Sequence, residues 1–459
     1  MDLRRPALVL PLLAACSMVS HQIAVTSPLD SEGEIFAELQ PLPGDAARLV
    51  FEVASAAAVR SDGRAIPLQV APDGAPDRQH LLVSGRVEPG AYTGLEVAFK
   101  RATLRGSDLL VSKEPLRIEA PFAVSQRRAS ILWLALQPGS TDQKFAFAPS
   151  FAVSIPAKAV VALTAYCSDA GAHELTVFDK RARAVTGVLP TGRAPWGLAL
   201  DPIASRAYVA LSDDDQVAIV DIANGAEVSR IRLNAGDSPR ELLLTPDRRL
   251  LLSANAGSNS VSLIEPGSMI EVGRVQTGDE PTSLLLDRKG TRAYVFNQRS
   301  SSISVLDLGS RSVVATVPTE NAPLRGQIDR AGTRLYVAST NSAYLTVFSL
   351  PDLSVSKRVY VGLGTSALKV DSNTDLLYVA NGIDKRLAVF DPFSLLPIDY
   401  LEVSGAVSWM AIDDAENALF VLLPESHSVE AIHLTTKKPL GGFSVGAQPR
   451  VLALMGERN

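Results

Sequence analysis

The chain has 459 residues, 46% of them apolar and 20% charged, with a net charge of −5. That length exceeds what one hydrophobic core ordinarily organises, so two or more domains are expected, and the composition is that of a folded protein. No run of Lys and Arg marks an electrostatic footprint, which argues against nucleic acid as a partner.

The first sixteen residues read as a targeting segment. Arg4 and Arg5 form a positive start, and residues 7–15 form an apolar run much shorter than the roughly 20 residues a membrane-spanning helix needs. The run ends in Leu13-Ala14-Ala15-Cys16. This resembles the bacterial lipobox, in which small residues precede a cysteine that receives diacylglycerol and becomes the mature N-terminus. The resemblance implies a signal peptide over residues 1–16 and membrane attachment through a lipid on Cys16. Ser17, at the second mature position, resembles the sorting pattern of outer-membrane lipoproteins, so the expected location is the cell envelope, at the outer membrane. Residues 17–31 are polar and read as a tether. With Cys16 lipidated, Cys167 is the sole remaining cysteine and has no disulfide partner. It lies in an apolar stretch and is expected as a buried, unreactive thiol.

Residues 32–156 carry alternating stretches at 48–53, 79–83, 95–99, 115–118 and 131–136, separated by Asp62-Gly63, Asp73-Gly74, Pro89-Gly90 and Gly106. Short strands between such turns predict an all-β sandwich. Pro89-Gly90-Ala91-Tyr92 before a strand resembles a sandwich domain of unknown function from bacterial lipoproteins. No aromatic platform for a ligand is evident, and Trp133 is expected in the core.

Residues 157–456 are repetitive. A Gly-x-x-Pro turn occurs at 192–195, 236–239, 278–281 and 446–449, with degenerate copies between. The residues that follow are Trp196, Arg240, Thr282, Leu324, Ser366, Ser408 and Arg450, 44 residues apart once and then 42 five times. Two markers keep the same phase. One is an aromatic at Tyr166, Tyr208, Tyr294, Tyr336, Tyr378 and Phe420, with Leu252 in the gap. The other is an acid closing a strand at Asp179, Asp221, Glu265, Asp307 and Asp391, replaced by Ser349 and His433. Within each unit the alternation and turn chemistry give four short antiparallel strands, the blade of a β-propeller. The first unit lacks an innermost strand, and after Gly446 only an innermost strand remains. The two fragments complement each other, which predicts seven blades closed by one composite blade with no free edge. The polar residues 456–459 fall beyond that last strand and are expected to be dispensable.

The stretch Asp287-Arg288-Lys289-Gly290-Thr291-Arg292-Ala293-Tyr294-Val295, with Tyr378-Val379-Ala380-Asn381, resembles the YVTN-type propeller repeat. That family includes surface-layer and periplasmic proteins. The resemblance is specific for the fold and carries little about function.

The search for chemistry returns mostly exclusions. Two distant cysteines do not form a haem-attachment motif. The five histidines show no metal-ligand spacing: His173-Glu174 lacks the second ligand of a zincin. Asp213-Asp214-Asp215 lacks the Gly and distal Glu of a calcium loop, so a solvated hairpin is expected. No metal or cofactor is expected. The remaining candidates lie on the innermost strands. One alternating side is uniformly apolar, and the other carries Glu241, Arg325, Gln327, Lys369 and Trp409. Burying those charges unpaired would be costly, so they are expected to face the central channel, with Trp196, Arg240 and Arg450 at its mouth. A small anion would suit this set. Alternatively, Glu241 pairs with Arg325 or Lys369 and the channel holds water. The expected function is a non-catalytic envelope lipoprotein whose propeller binds or scaffolds a protein or glycan. The alternative is a hydrolase resembling seven-bladed lactonases, with Glu241, Arg325 and Lys369 around a central site.

Overall fold

The computed structural model describes residues 31–458 apart from 43–45, 47, 73 and 138–145. Cys16, the leader and nearly all of the tether lie outside the described residues. From Thr164 onward, seven four-stranded antiparallel sheets follow one another, six of them simple meanders. We number them as blades. Blade 1 contains Thr164–Asp169, Glu174–Asp179 and Ala184–Pro190. Blades 2 to 7 span 195–232, 239–276, 281–318, 323–360, 365–402 and 409–444. The final strand, Pro449–Leu454, is the innermost strand of blade 1, with Ala165 opposite Leu454 and Cys167 opposite Leu452. Leu452 and Leu454 are buried between blades. The ring therefore closes by joining its two ends within one sheet.

Each periodic marker has a physical role. The aromatics sit on the second strand of their blades, buried against the next blade. The acids cap the tight turn before the outermost strand. Asp179 accepts the backbone N–H groups of Arg181 and Ala182 at 2.8 Å each, and Asp221, Asp307 and Asp391 do likewise. His433 keeps the function with a different atom: its Nδ1 accepts from Thr435 and Thr436, each at 3.2 Å. Turn capping explains why the position is acidic without any catalytic role. Asp213–Asp215 is a hairpin in which two carboxylates are occupied, Asp214 by Arg193 and Asp215 by the amides of Gly236 and Ser238. Cys167 is buried beside Asp169, at 3.3 Å, and burial pushes its thiol up.

The N-terminal region is one curled, sandwich-like sheet. Ala65–Val70 pairs with Leu49–Arg60 over its first half and with His80–Val87 over its second, so it turns the corner between the sheet's two halves. Gly33–Leu39 lies between His80–Val87 and Ala129–Leu136, antiparallel to the first and parallel to the second. Ile35, Ala37 and Leu39 face the interior with Tyr92, Leu95, Val97 and Leu134. The opposite face of the same strand, with Phe36, joins a core formed by Phe178, Phe420 and Phe443 of the propeller.

That shared core lies over the outer strands of blades 1 and 7, where the ring closes. Gln79 bridges the two: its carbonyl accepts from Ser444 at 3.0 Å, and its side-chain oxygen accepts the Val185 amide at 2.6 Å. Trp133 donates Nε1 to Val185 O at 2.9 Å. It therefore belongs to the seam between the sheet and the ring, not to the sandwich interior. Its indole N–H requires a buried acceptor, and blade 1 supplies it.

Residues 456–458 also differ from expectation. They are not a loose polar end. Arg458 donates its amide to Ile412 O at 2.8 Å, and its guanidinium holds Asp371 at 3.1 Å and Asp414 at 2.8 Å. Glu457 holds Lys369 at 2.7 Å. Beside them, Lys180 is 1% exposed; it pairs with Asp413 at 2.6 Å and donates to Met455 O. The last residues thus tie blade 1 to blades 6 and 7.

Candidate functional site

Every blade meets the next through a turn at one face of the ring, before its innermost strand. In five of these turns the residue before that strand has a left-handed φ without being glycine: Ala194 47°, Ser238 46°, Glu280 56°, Ala322 55° and Gln448 51°. This conformation is costly for an L-residue. Four of these residues have their amides held by a side chain from the blade before. The acceptors are His173 Nδ1, Asp215 Oδ1, Asn259 Oδ1 and Ser301 Oγ, at 2.8–3.3 Å.

Immediately after the turn, the innermost strand is bulged. The ladder passes from Pro239 to Glu241, from Pro281 to Ser283, from Pro323 to Arg325 and from Thr365 to Ala367, skipping Arg240, Thr282, Leu324 and Ser366. The irregularity recurs around Trp196 and Arg450. A bulge releases one side chain from the alternation of the strand and re-aims it. The residues released here ring the mouth of the channel.

Further along the strands, the polar side packs first against the next blade. A Cβ on Gly197 would lie 2.5 Å from Arg240 O, and Ser283 and Ala367 are buried. The longer side chains do more. Glu241 Oε2 accepts the Leu284 amide of blade 4 at 2.8 Å, while its other oxygen lies 3.6 Å from Arg325 of blade 5. The Arg325 guanidinium lies 3.7 Å over the ring of Trp409 from blade 7, and burial pulls its pKa down against the pull of Glu241 and Glu457. Blades 3, 5 and 7 are not neighbours, so this chain of contacts crosses the channel and obstructs it. Gln327 Oε1 accepts the Val370 amide at 3.4 Å, and Lys369 is paired with Glu457 towards the far end. The structure therefore joins Glu241, Arg325 and Trp409. It sets Lys369 apart and leaves Gln327 in a contact between two blades.

At the mouth, Trp196 of blade 2 receives Arg240 of blade 3 at 3.9 Å and Arg450 of blade 1 at 4.1 Å from its ring centroid. Two guanidiniums cannot both stand about 4 Å over one ring face without overlapping, so they lie on opposite faces. Burial holds both below the usual arginine range, and Arg240 lowers Arg450 further.

A family model for YNCE-like β-propellers matches residues 180–285. Many solved chains match the fold. One is hydrazine synthase from Kuenenia stuttgartiensis, with a TM-score of 0.54 and 18% identity, covering 60% of this chain and 93% of that one. Another is the dihydro-heme d1 dehydrogenase NirN in complex with DHE, with a TM-score of 0.53 and 13% identity, covering 66% and 78%. No curated protein matches. The chain is a β-propeller protein. At these identities the solved structures share its fold and say nothing of its chemistry.

Two features escaped the reading of the sequence. The polar residues that hold the turns, His173, Asp215, Asn259 and Ser301, recur with the repeat's own spacing and could have been found by aligning its copies. The cross-channel contact of Arg325 with Trp409 could not, because no periodicity relates residues that meet at the centre of a ring.

Proposed function

We propose that the chain is a non-catalytic binding or scaffold module of the cell envelope, anchored through a lipid on Cys16 and presenting the mouth face of its propeller to a protein or glycan. A relationship to YVTN-type surface and periplasmic propellers fits this reading. The observation that carries it is the occupation of the channel groups. A hydrolase in the channel would need a free base and a free anion clamp. Glu241 is instead held by the Leu284 amide and Arg325, Arg325 is stacked on Trp409, and Lys369 is held by Glu457. These contacts leave the outer surface, above all the mouth face, for recognition.

The test has two arms. Mass spectrometry of the membrane fraction should find a mature chain that begins with acylated Cys16; a soluble chain beginning elsewhere would refute the anchor. The purified protein, assayed against a panel of lactones and esters, should show no turnover. Turnover abolished by Glu241→Gln would replace this reading with the enzymatic one.

A further inference from the structure

The cations of the channel differ in one respect. Arg325 has Glu241 and Lys369 has Glu457. Arg240 and Arg450, among the described residues, have no carboxylate within ion-pair distance. Among the described residues, the one polar contact of the Arg450 guanidinium is Gln448 Oε1 at 3.5 Å, and its buried Nε has no partner. The carboxylates whose fields reach Arg240 are Asp213 and Glu280, and neither touches it. On each side of the pair, at the same strand position, stands a hydroxyl with no hydrogen-bond partner: Ser408 in blade 7, next to Arg450, and Thr282 in blade 4, next to Arg240. Five consecutive blades thus place unmet donors and an indole along one arc of the rim. The floor beneath is closed by Arg325 on Trp409.

Two like charges, partly desolvated and with no ion-paired carboxylate among the described residues, make a site that an anion completes. The indole between them decides which anion. Both of its faces are covered, so it cannot stack on a ligand, and its thickness keeps the two guanidinium forks from closing on a single small oxyanion. A guanidinium fork matches a carboxylate in a planar, two-point contact. We infer that the mouth binds a small dicarboxylate, one carboxylate on Arg240 and the other on Arg450. This deepens the binding-module reading and rests on it for the choice of face.

Calorimetric titration of the full chain at low ionic strength with linear dicarboxylates from malonate to pimelate tests the assignment, with acetate and inorganic phosphate as controls. Affinity should pass through an optimum of chain length. Arg240→Gln and Arg450→Gln should each weaken the best ligand at least tenfold, and half-molar NaCl should weaken it as well. Arg358→Gln, at an exposed pair with Glu320, should change nothing. Should a glutamine variant melt early, Arg240→Lys and Arg450→Lys retain the charge without the fork and should still bind more weakly. The inference is overturned if no dicarboxylate binds, if the arginine variants bind as the wild type does, or if acetate or phosphate binds as well as the best dicarboxylate. Any of these would leave the binding-module reading standing, whereas lactone or ester turnover would remove that reading and not this one.

Discussion

The ring and the N-terminal sheet are both built from antiparallel strands, yet they reach their cores by opposite routes. In the ring, every strand but the last pairs with a sequence neighbour, and each blade buries its faces against the next. In the N-terminal sheet the order of strands is scrambled relative to the chain, and Gly33–Leu39 pairs in parallel with Ala129–Leu136 from the far end of the domain. The ring depends on one long-range closure, whereas the sheet depends on several. The two meet where the ring's closure lies, so the least local part of the propeller is covered by the least local part of the chain.

The most severe way to test that contrast is to remove the closure. Deleting residues 446–459 takes away the inner strand of blade 1. Leu452 and Leu454 alone contribute about 1.5–3 kcal/mol each, set against a typical domain stability of about 5–15 kcal/mol. The expected outcome is loss of cooperative thermal unfolding and of protease resistance. Deleting only residues 456–459 should also destabilise, by about 3 kcal/mol, because it removes the Glu457 contact to Lys369 and the Arg458 contact to Asp371, both in a largely buried setting. Indistinguishable melting of the short truncation and the intact chain would show that the tail does not tie the blades.

A smaller effect should appear at the seam. Burial raises Glu174 of blade 1, and the neighbouring Asp169, with Glu34 and Glu38 from the strand face shared with Phe36, raises it further. Burial pushes Glu38 up from 4.5 to about 8 and Asp169 from 3.8 to about 7. The charges that face Glu34 are Arg86, which lowers it, and Glu32, which raises it. Asp169 is also approached by the Cys167 thiol and by Thr176. Carboxyls raised in the folded state favour the protonated, folded form. Their contribution is complete below about pH 4 and is lost as pH rises through about 8. Urea unfolding should therefore show stability falling by a few kcal/mol between pH 5 and pH 8.5, and Glu38→Gln should flatten that slope. An unchanged slope in Glu38→Gln would remove Glu38 from the account. The sheet would then touch the ring without sensing charge there.

The smallest effect concerns the repeat itself. Asp307→Ala should lower the melting temperature slightly through two lost hydrogen bonds to Ser310. His433→Asp should be neutral or slightly stabilising, since it restores the acceptor used in the other blades. A large loss in His433→Asp, read from the melting temperature, would mean that the imidazole does something a cap does not.

These residues also explain what the sequence made legible. Tyr208, Asp221 and Trp196 announce blades because each recurs at a fixed interval, and a ring of like units turns interval into geometry. The composite blade followed from the same phase. In the N-terminal region only one copy of each signal exists, so Gly33–Leu39 and Ala65–Val70, which organise that sheet, were not marked as strands. Of the candidate site, the residues at the mouth and along the inner strands could be picked out from their place in the repeat. The pairing of Glu241 with Arg325 belonged to one of the two arrangements the sequence left open, whereas the contacts of Arg240 and Arg450 with Trp196 were not foreseen, because they cross blade boundaries that periodicity does not describe. Arg458 was misjudged for a related reason: polarity at a chain end looks like solvent exposure unless a buried carboxylate such as Asp371 waits for it.

The bulge at the head of six of the seven inner strands separates two demands that usually compete. The position before it is proline in five of the seven units, at 195, 239, 281, 323 and 449, while the position after the turn reads Arg450, Trp196, Arg240, Thr282, Leu324, Ser366 and Ser408 around the ring. It behaves as a seven-letter word written on a fixed page. Substitution there alters what the rim says without rewriting the sheet that carries it, so a lineage, or a designer, could exchange ligands on this scaffold one blade at a time.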